Sequence, residues 1–220
     1  FTINALAIDL DQRETVIDPL QGVQDISQKV IRTCSPQGFL DDPMRILRAV
    51  RLACQLDYKI SPETIQLLRQ ALPHLPEATP ERHRDEIFRM LRNPRFDSSL
   101  RVLEKLGVLP YIFPETIDLI GLQQSHPHTL DVWEHTLSVI QKLEQLLFVL
   151  DLRSNLDEAG NIFSGLISLR LGRYRQQFAE HFSNPLNPLR PARSLLFLAA
   201  LYHDVGTADT QSHDASGKIL

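Results

Sequence analysis

Arginine recurs at every third position from Arg45 through Arg48 to Arg51, and Asp42 stands one turn before the first of them. At about 100° per residue the arginines share one side of a helix, while Ile46, Leu47, Ala49, Val50, Ala53 and Cys54 share the other. Asp42 followed by Pro43 opens such a helix, with proline at the first helical position. A charged face opposite an apolar one is ordinarily a solvated face. Here the stripe is all arginine, whose planar fork of donors suits phosphates and bases. The acid adds a second capability, because a carboxylate only accepts hydrogen bonds and a guanidinium only donates them. Cytosine presents its 4-amino donor beside the N3 acceptor, and adenine its 6-amino donor beside N1. Uracil and guanine present the reverse order. An aspartate beside an arginine therefore matches C and A and rejects U and G, since a mismatched base leaves polar groups unpaired.

A second set of candidate ligands lies far along the chain. His135 sits within Val132-Trp133-Glu134-His135-Thr136 on a predicted helix, and His203-Asp204 closes the apolar run Ala200-Leu201-Tyr202. Two imidazoles and a carboxylate suit a divalent transition metal or Mg²⁺. Such an ion lowers the pKa of bound water and prepares it to attack a phosphate. The alternative is that His203 caps its helix and Asp204 faces water. His83, His126, His128 and His181 read as surface or capping residues, and Asp9 and Asp11 as exposed acids of a hairpin.

Composition bounds the rest. A chain of 220 residues, 43% of them hydrophobic, forms one or two cores. No apolar run approaches a membrane span and no signal peptide is visible. Cys34 and Cys54 are isolated, in neither metal-ligand spacing nor a disulfide framework, so a reducing cytoplasmic setting is expected. The net charge of −4 is unevenly spread: residues 29–105 carry 14 Lys and Arg against 10 Asp and Glu, and the remainder carry 9 against 17. The arginine-rich middle is the expected phosphate-contacting part.

The elements that must position these groups are mostly helices. Thr2–Leu10 and Glu14–Ile17 alternate enough to pair as a hairpin around Asp11-Gln12-Arg13, and Lys29–Thr33 reads as a further short strand. Ser61 caps a helix with Pro62 at its first position, and Pro73-His74-Leu75-Pro76 breaks it. Thr79-Pro80 opens another, and Asp97–Leu106 closes at Gly107. Leu119–Pro127 reads as a linker. Helices follow near Leu130–Leu150, Phe163–Phe182 and Ala192–His203, the last two separated by a proline-rich loop, Asn184–Pro191.

Taken in order, the motifs resemble those of the tRNA nucleotidyltransferase family, which includes CCA-adding enzymes and bacterial poly(A) polymerases. Phe1-Thr2-Ile3-Asn4-Ala5-Leu6 is similar to the family's R-R-D-F-T-x-N-A-L, cut just after its Arg-Asp pair. Val16-Ile17-Asp18-Pro19 with Gly22-Val23-Gln24-Asp25-Ile26 resembles I-D-P-x-x-G-x-x-D-L. Asp41-Asp42-Pro43-Met44-Arg45 through Arg48 to Arg51 resembles the base-reading motif E/D-D-x-x-R-x-x-R-x-x-R. Glu81-Arg82-His83-Arg84-Asp85-Glu86 is similar to the neck helix E-R-I-R-D-E, and Leu106-Gly107-Val108-Leu109 through Phe113-Pro114-Glu115 to the body's L-G-L-L-x-x-x-F-P-E. The stretch from His126 to Leu137 resembles the opening of an HD domain, and His203-Asp204-Val205-Gly206-Thr207 resembles its H-D-I-G-K, with Thr207 in place of lysine.

The resemblance implies a mainly α protein. Residues 1–35 would be the C-terminal β remnant of a nucleotidyltransferase head, 36–120 a helical neck and RNA-binding body, and 121–220 a partial HD-like helical domain. It implies that Asp42, Arg45, Arg48 and Arg51 contact an incoming CTP or ATP, and that the tRNA 3′ end is the partner. The Mg²⁺-binding carboxylates of the family lie on the head, upstream of residue 1. The chain then reads as an internal fragment with no catalytic residue of its own, unable to transfer nucleotides alone. His135, His203 and Asp204 would form the HD metal site, with the last aspartate ligand beyond Leu220. Two alternatives are a bacterial poly(A) polymerase, which shares the Asp–Arg reader but tends to end in a basic tail, and an HD phosphohydrolase with helical accessory segments. The latter leaves residues 1–51 unexplained.

Overall fold

Every strand among the described residues is only two or three residues long, and helices carry the rest of the fold, as the patterning after residue 36 predicts. The computed structural model describes residues 1–11, 15–125, 127, 129–154, 162–187 and 190–211. Its chain divides into two compact units, Phe1–Asn93 with Ser98–Ile112, and Pro94–Asp97 with Phe113–Leu220.

In the first unit, a 3₁₀ turn, Thr2–Asn4, precedes strand β1, Ala7–Ile8, which pairs antiparallel with β2, Val16–Ile17. The expected hairpin is thus shorter than its alternating pattern, and its tip lies outside the described residues. Thr2 is tied elsewhere: its hydroxyl donates to Asp25 at 2.7 Å and its amide to the Arg32 carbonyl at 3.0 Å. Asp25 belongs to helix α1, Gly22–Gln28, which the sequence reading does not anticipate. The Asp18 carboxylate caps α1, accepting the amides of Gly22 (2.7 Å) and Val23 (3.0 Å). Those bonds, that from Val23 above all, hold the Asp18 carboxyl below its ordinary pKa.

Strand β3, Val30–Ile31, leads into α2, Gly38–Asp41, and α3, Arg45–Leu56; it then pairs parallel with β4, Lys59–Ile60. Residues 1–35 and the helices after them therefore close on one core. Helix α4, Pro62–Ala71, starts where predicted: the Ser61 hydroxyl accepts the Thr64 amide at 3.2 Å, with Pro62 in the first turn. Pro73 and Pro76 turn its continuation into a 3₁₀ segment, Leu72–Glu77. Then follow α5, Pro80–Leu91, α6, Phe96–Leu106, and α7, Leu109–Ile112. Gly107 ends α6 at φ +77°, a left-handed conformation that glycine adopts without a Cβ clash. Ile31, Ile46, Leu47, Val50, Leu68 and Leu91 are fully buried in this unit, each worth about 1.5–3 kcal/mol over its exposed state.

The second unit begins with a 3₁₀ turn, Pro114–Leu119, and is built on α8, Val132–Leu150, whose N-cap Asp131 accepts the Glu134 amide at 2.7 Å. The predicted single helix Phe163–Phe182 is two, α9, Ile162–Leu171, and α10, Arg175–Ser183, separated by a 3₁₀ turn that starts at Gly172. A glycine inside a helix costs about 1 kcal/mol relative to alanine, which makes it a natural place for the break. The proline-rich loop contains paired strands β5, Pro185–Asn187, and β6, Arg190–Pro191. Helices α11, Ala192–Tyr202, and α12, Thr207–Thr210, complete the unit. Trp133, Leu137, Ile140, Phe197 and Leu201 are buried here, with Phe96 packed edge-on against Phe197 at 6.0 Å. Among the described residues no helix is long and apolar enough to cross a membrane.

Glu144 on α8 takes an unusual role. Its carboxylate accepts the amides of Phe96 (2.6 Å) and Asp97 (3.2 Å), two donors that the start of α6 leaves without helical partners. Burial, with the nearby negative charge of Asp97, raises the Glu144 carboxyl from 4.5 to about 8. The folded chain thus binds this proton more tightly than the unfolded one. The contribution to stability is full below pH 4.5 and is lost as pH rises to about 8. Glu144→Gln keeps an acceptor oxygen without the charge. Denaturant unfolding across that range should show the variant losing less stability with pH than the parent, and equal slopes would contradict this account.

Candidate functional site

Helix α3 buries Ile46, Leu47, Ala49 and Val50 completely, so Arg45 and Arg48 must turn outward. The helix starts two residues later than Pro43. Asp42 is extended (φ −151°, ψ 95°), and the bonds Arg45 N–H to Asp42 carbonyl (3.1 Å) and Ile46 N–H to Pro43 carbonyl (2.9 Å) form a tight entry turn. The Met44 amide donates to Asp42 Oδ1 at 3.2 Å, which fixes the carboxylate at that elbow. Opposite it, α5 presents Arg82, Asp85, Glu86 and Arg89 at the three- and four-residue spacing of one helix face. Between them lies a cavity of about 240 Å³, lined by those four residues and by Asp42, Met44, Arg45 and Arg48. Four guanidinium groups face three carboxylates there.

The residues predicted to act together are divided by the structure. Asp42, Arg45 and Arg48 share the cavity. The Arg45 guanidinium donates through Nη1 to the Gly38 carbonyl at 3.0 Å, and its Nε lies 4.0 Å from Asp42 Oδ2. Gly38 permits this approach: a Cβ there would stand 2.9 Å from Thr33 Oγ1 and 3.3 Å from Arg45 Nη1. Arg48 is exposed and has no hydrogen bond or ion pair among the described residues, leaving its donors available. Arg51 is elsewhere. Its Nε donates to Glu86 Oε2 at 3.0 Å with 14% and 8% of the two side chains exposed, and its Nη1 donates to Gln55. Glu86 also pairs with Arg89. Arg51 thus ties α3 to α5.

Two arginines of the cavity, together with Met44, Asp85 and Glu86, are not among the predicted site residues. Arg82 donates through Nη2 to both oxygens of Asp42, at 2.8 and 2.9 Å, and Arg89 lines the cavity beside Glu86, with which it pairs. The signal available was the recurrence of charge along one face of the Glu81–Glu86 helix. What it lacked was any indication that this face opposes Asp42.

In the second unit, His135, His203 and Asp204 come together from α8 and the end of α11, 68 positions apart in sequence. One ligand atom from each lies within 4.8 Å of the others. Asp204 Oδ2 stands 3.1 Å from His203 Nε2 and 3.7 Å from His135 Nε2. His203 also meets its predicted alternative: its Nδ1 bonds to the Ala200 carbonyl at 2.8 Å. A carbonyl only accepts, so Nδ1 is the donor there, and Nε2 is the nitrogen that faces Asp204 and that an ion would use, with the Nδ1–carbonyl bond orienting the ring. Of the other histidines, His83 bonds to the Thr79 carbonyl through Nδ1, while His126 and His128 lie outside the described residues. Asp9 and Asp11 are exposed, as expected for hairpin acids.

Comparison with known proteins agrees with the motif order. Residues 1–32 match the poly A polymerase head domain, and residues 57–120 match the "probable RNA and SrmB-binding site of polymerase A". The elbow at Asp42 and helix α3 fall between these two segments. The chain is 36% identical over 148 residues to the A-adding tRNA nucleotidyltransferase of Deinococcus radiodurans, covering 65% of this chain and 34% of that one. It is 42% identical over 113 residues to the CC-adding tRNA nucleotidyltransferase of Geobacter sulfurreducens, covering 51% and 26%. The chain thus spans about a third or less of the length of these relatives. A solved tRNA nucleotidyltransferase complexed with a primer tRNA and an incoming ATP analog superposes with a TM-score of 0.54 at 29% identity, covering 95% of this chain and 68% of that one. Two family segments in the expected order, a fold shared along most of the chain, and relatives of one kind lead to one conclusion: the chain carries segments of the poly A polymerase family and resembles tRNA nucleotidyltransferases in sequence and fold.

Proposed function

We propose that this chain is the base-selecting and RNA-binding part of a template-independent nucleotidyltransferase that adds C and/or A to tRNA 3′ ends in the cytoplasm. The observation that carries the reading is the meeting of Asp42 and Arg45 in a cavity of nucleobase size whose remaining lining is rich in guanidinium groups. Asp42 would accept from the amino group of C or A, and Arg45 would donate to the neighbouring ring nitrogen. Arg48, with its donors uncommitted, would bind the phosphates of CTP or ATP. Residues 1–35 would be the end of the head, 36–120 the neck and body that hold the tRNA, and 121–220 the HD-like domain.

The two Mg²⁺ ions of nucleotidyl transfer supply charge stabilisation to the transferring phosphoryl group. Among the described residues, a group of three side chains able to share one ion is His135 with His203 and Asp204. This chain's own residues bind and orient the base and exclude the wrong one. A poly(A) polymerase would use the same reader. The pairing of α3 and α5 favours base reading over an HD phosphohydrolase with accessory helices, because that reading gives Asp42 and Arg45 no task.

The convergence of the three ligands supports a second, separate site. The donor set of two imidazole nitrogens and one carboxylate fits a divalent transition metal, and an ion there would acidify a bound water.

Arg45→Ala should cost about 1–3 kcal/mol of discrimination between CTP and UTP, read as the ratio of their dissociation constants. An unchanged ratio would remove Arg45 from the role. Arg51→Met should behave in the opposite way. It leaves Glu86 buried with only Arg89, so folding stability should fall by at most about 3 kcal/mol while the CTP:UTP ratio is kept. For the second site, calorimetric titration should show Ni²⁺ or Mn²⁺ binding that His203→Ala abolishes; equal binding by the variant would assign the cluster to hydrogen bonding alone.

A further inference from the structure

The acceptor that is to read the base is already occupied. One nitrogen of Arg82 bridges both oxygens of Asp42, at 2.8 and 2.9 Å, and the Met44 amide takes a further position on Oδ1 at 3.2 Å. Arg45 Nε, at 4.0 Å, is outside hydrogen-bond distance of the same carboxylate. A base amino group approaching Asp42 therefore meets the Arg82 donor in the place it needs. We propose that Arg82 is a specificity-determining residue that holds the place of the base amino group on Asp42 and is displaced only by a base carrying such a group. This rests on the base-reading role of Asp42 proposed above.

The chemistry favours exchange over permanent blockage. The Arg82 side chain is 51% exposed and that of Asp42 28% exposed, so the ion pair is partly in water, where such pairs are weak and easily remade. The contact uses a single guanidinium nitrogen on both oxygens, not the parallel two-nitrogen fork that makes arginine–carboxylate pairs strong. An amino group can take Oδ2 while Arg82 swings outward into solvent. A base presenting a carbonyl oxygen instead, as U and G do at the equivalent position, has nothing to offer Asp42. It cannot replace the Arg82 donor, and its carbonyl would face a carboxylate if it did. Arg82 thus places a small cost on C and A, the bases that must displace it, and none on U or G, which leave it in place; it lowers the discrimination that Asp42 alone would give, and it keeps Asp42 neutralised when no base is present.

Arg82 also carries charge that a triphosphate would feel, so affinity alone cannot isolate its role. The ratio of dissociation constants for UTP and CTP can, because loss of a cation weakens both nucleotides alike. Removing the competing donor should tighten CTP relative to UTP, so Arg82→Met should raise the UTP:CTP ratio about threefold above that of the parent chain. Arg82→Lys keeps one charged nitrogen within reach of Asp42 and should return the ratio to the parent value. In an Asp42→Asn background Arg82→Met should have no effect on the ratio, since the two residues act through one contact. A ratio unchanged or lowered by Arg82→Met, in a chain where Asp42→Asn does abolish discrimination, would overturn the threshold and leave the reader standing. If Asp42→Asn leaves discrimination intact, both the reader and the threshold fail. Arg82 lies in the first turn of α5 and half-faces solvent, so these variants keep the core that folds the unit.

Discussion

Helix α3 must bury six apolar side chains, and that one requirement sets the orientation of everything around the cavity. Ile46, Leu47, Ala49, Val50, Ala53 and Cys54 are all at least 94% removed from solvent. At about 1.5–3 kcal/mol for each fully buried large side chain, their burial outweighs the exposed ion pairs around the cavity, which contribute roughly 0–1 kcal/mol each. The polar contacts do not place the helix; they are placed by it. Once the apolar side faces inward, Arg45 and Arg48 have no direction but outward. The elbow at Asp42 then brings its carboxylate to the mouth of the same space. Arg51 sits at the edge of the buried stripe and meets Glu86 of α5, where a nearly buried pair completes the seam between the helices.

This explains which parts of the site could be read in advance. The periodicity of residues 45–54 dictates two faces, and both appear. Periodicity cannot say how far around the helix a neighbour reaches, so three arginines of one type at one spacing have two different fates. Arg82 is legible as a charged neck residue but not as a partner of Asp42, because the 40 positions between them carry no pairing signal. The parallel pair β3–β4 is hidden for a similar reason. Two-residue strands are too short for alternation to register, and their pairing depends on where α2 and α3 return the chain. Helix α1 is held by a carboxylate four residues upstream of its first residue, and with only seven residues it has little periodicity of its own.

In the second unit local signals fare well and long-range ones poorly. Asp131 caps α8 as a short polar residue before an apolar run should. The His-Asp pair and the earlier histidine are visible as types, but their meeting depends on how α8 and α11 pack, which single-helix patterns do not contain. Glu144 is the clearest failure of local reasoning. On a helical wheel it is one more polar residue of α8, yet it reaches the amides at the start of α6 and becomes a buried acid. Nothing near it in sequence foretells that, since its partners are 47 and 48 positions away.

The donor and acceptor order at Asp42 and Arg45 also limits what this part of the molecule can decide. Cytosine and adenine present the same amino-beside-nitrogen edge, so a carboxylate and a guanidinium fixed in place accept both and reject both uracil and guanine. Relatives named for adding A and for adding CC resemble this one chain, which is what a shared reader of that kind would produce. To tell C from A, the protein must sense the size of the ring system or the position of the sugar, and hydrogen-bond order cannot supply that. On the proposed reading, the groups with room to respond to ring size are the half-exposed guanidiniums that line the cavity, such as Arg82 and Arg89. Their long stems would let them withdraw for a purine without disturbing the buried face of α3. On that reading, selection against U and G would be a property of the elbow and its carboxylate, while selection between C and A would depend on whatever sets the depth to which a base enters.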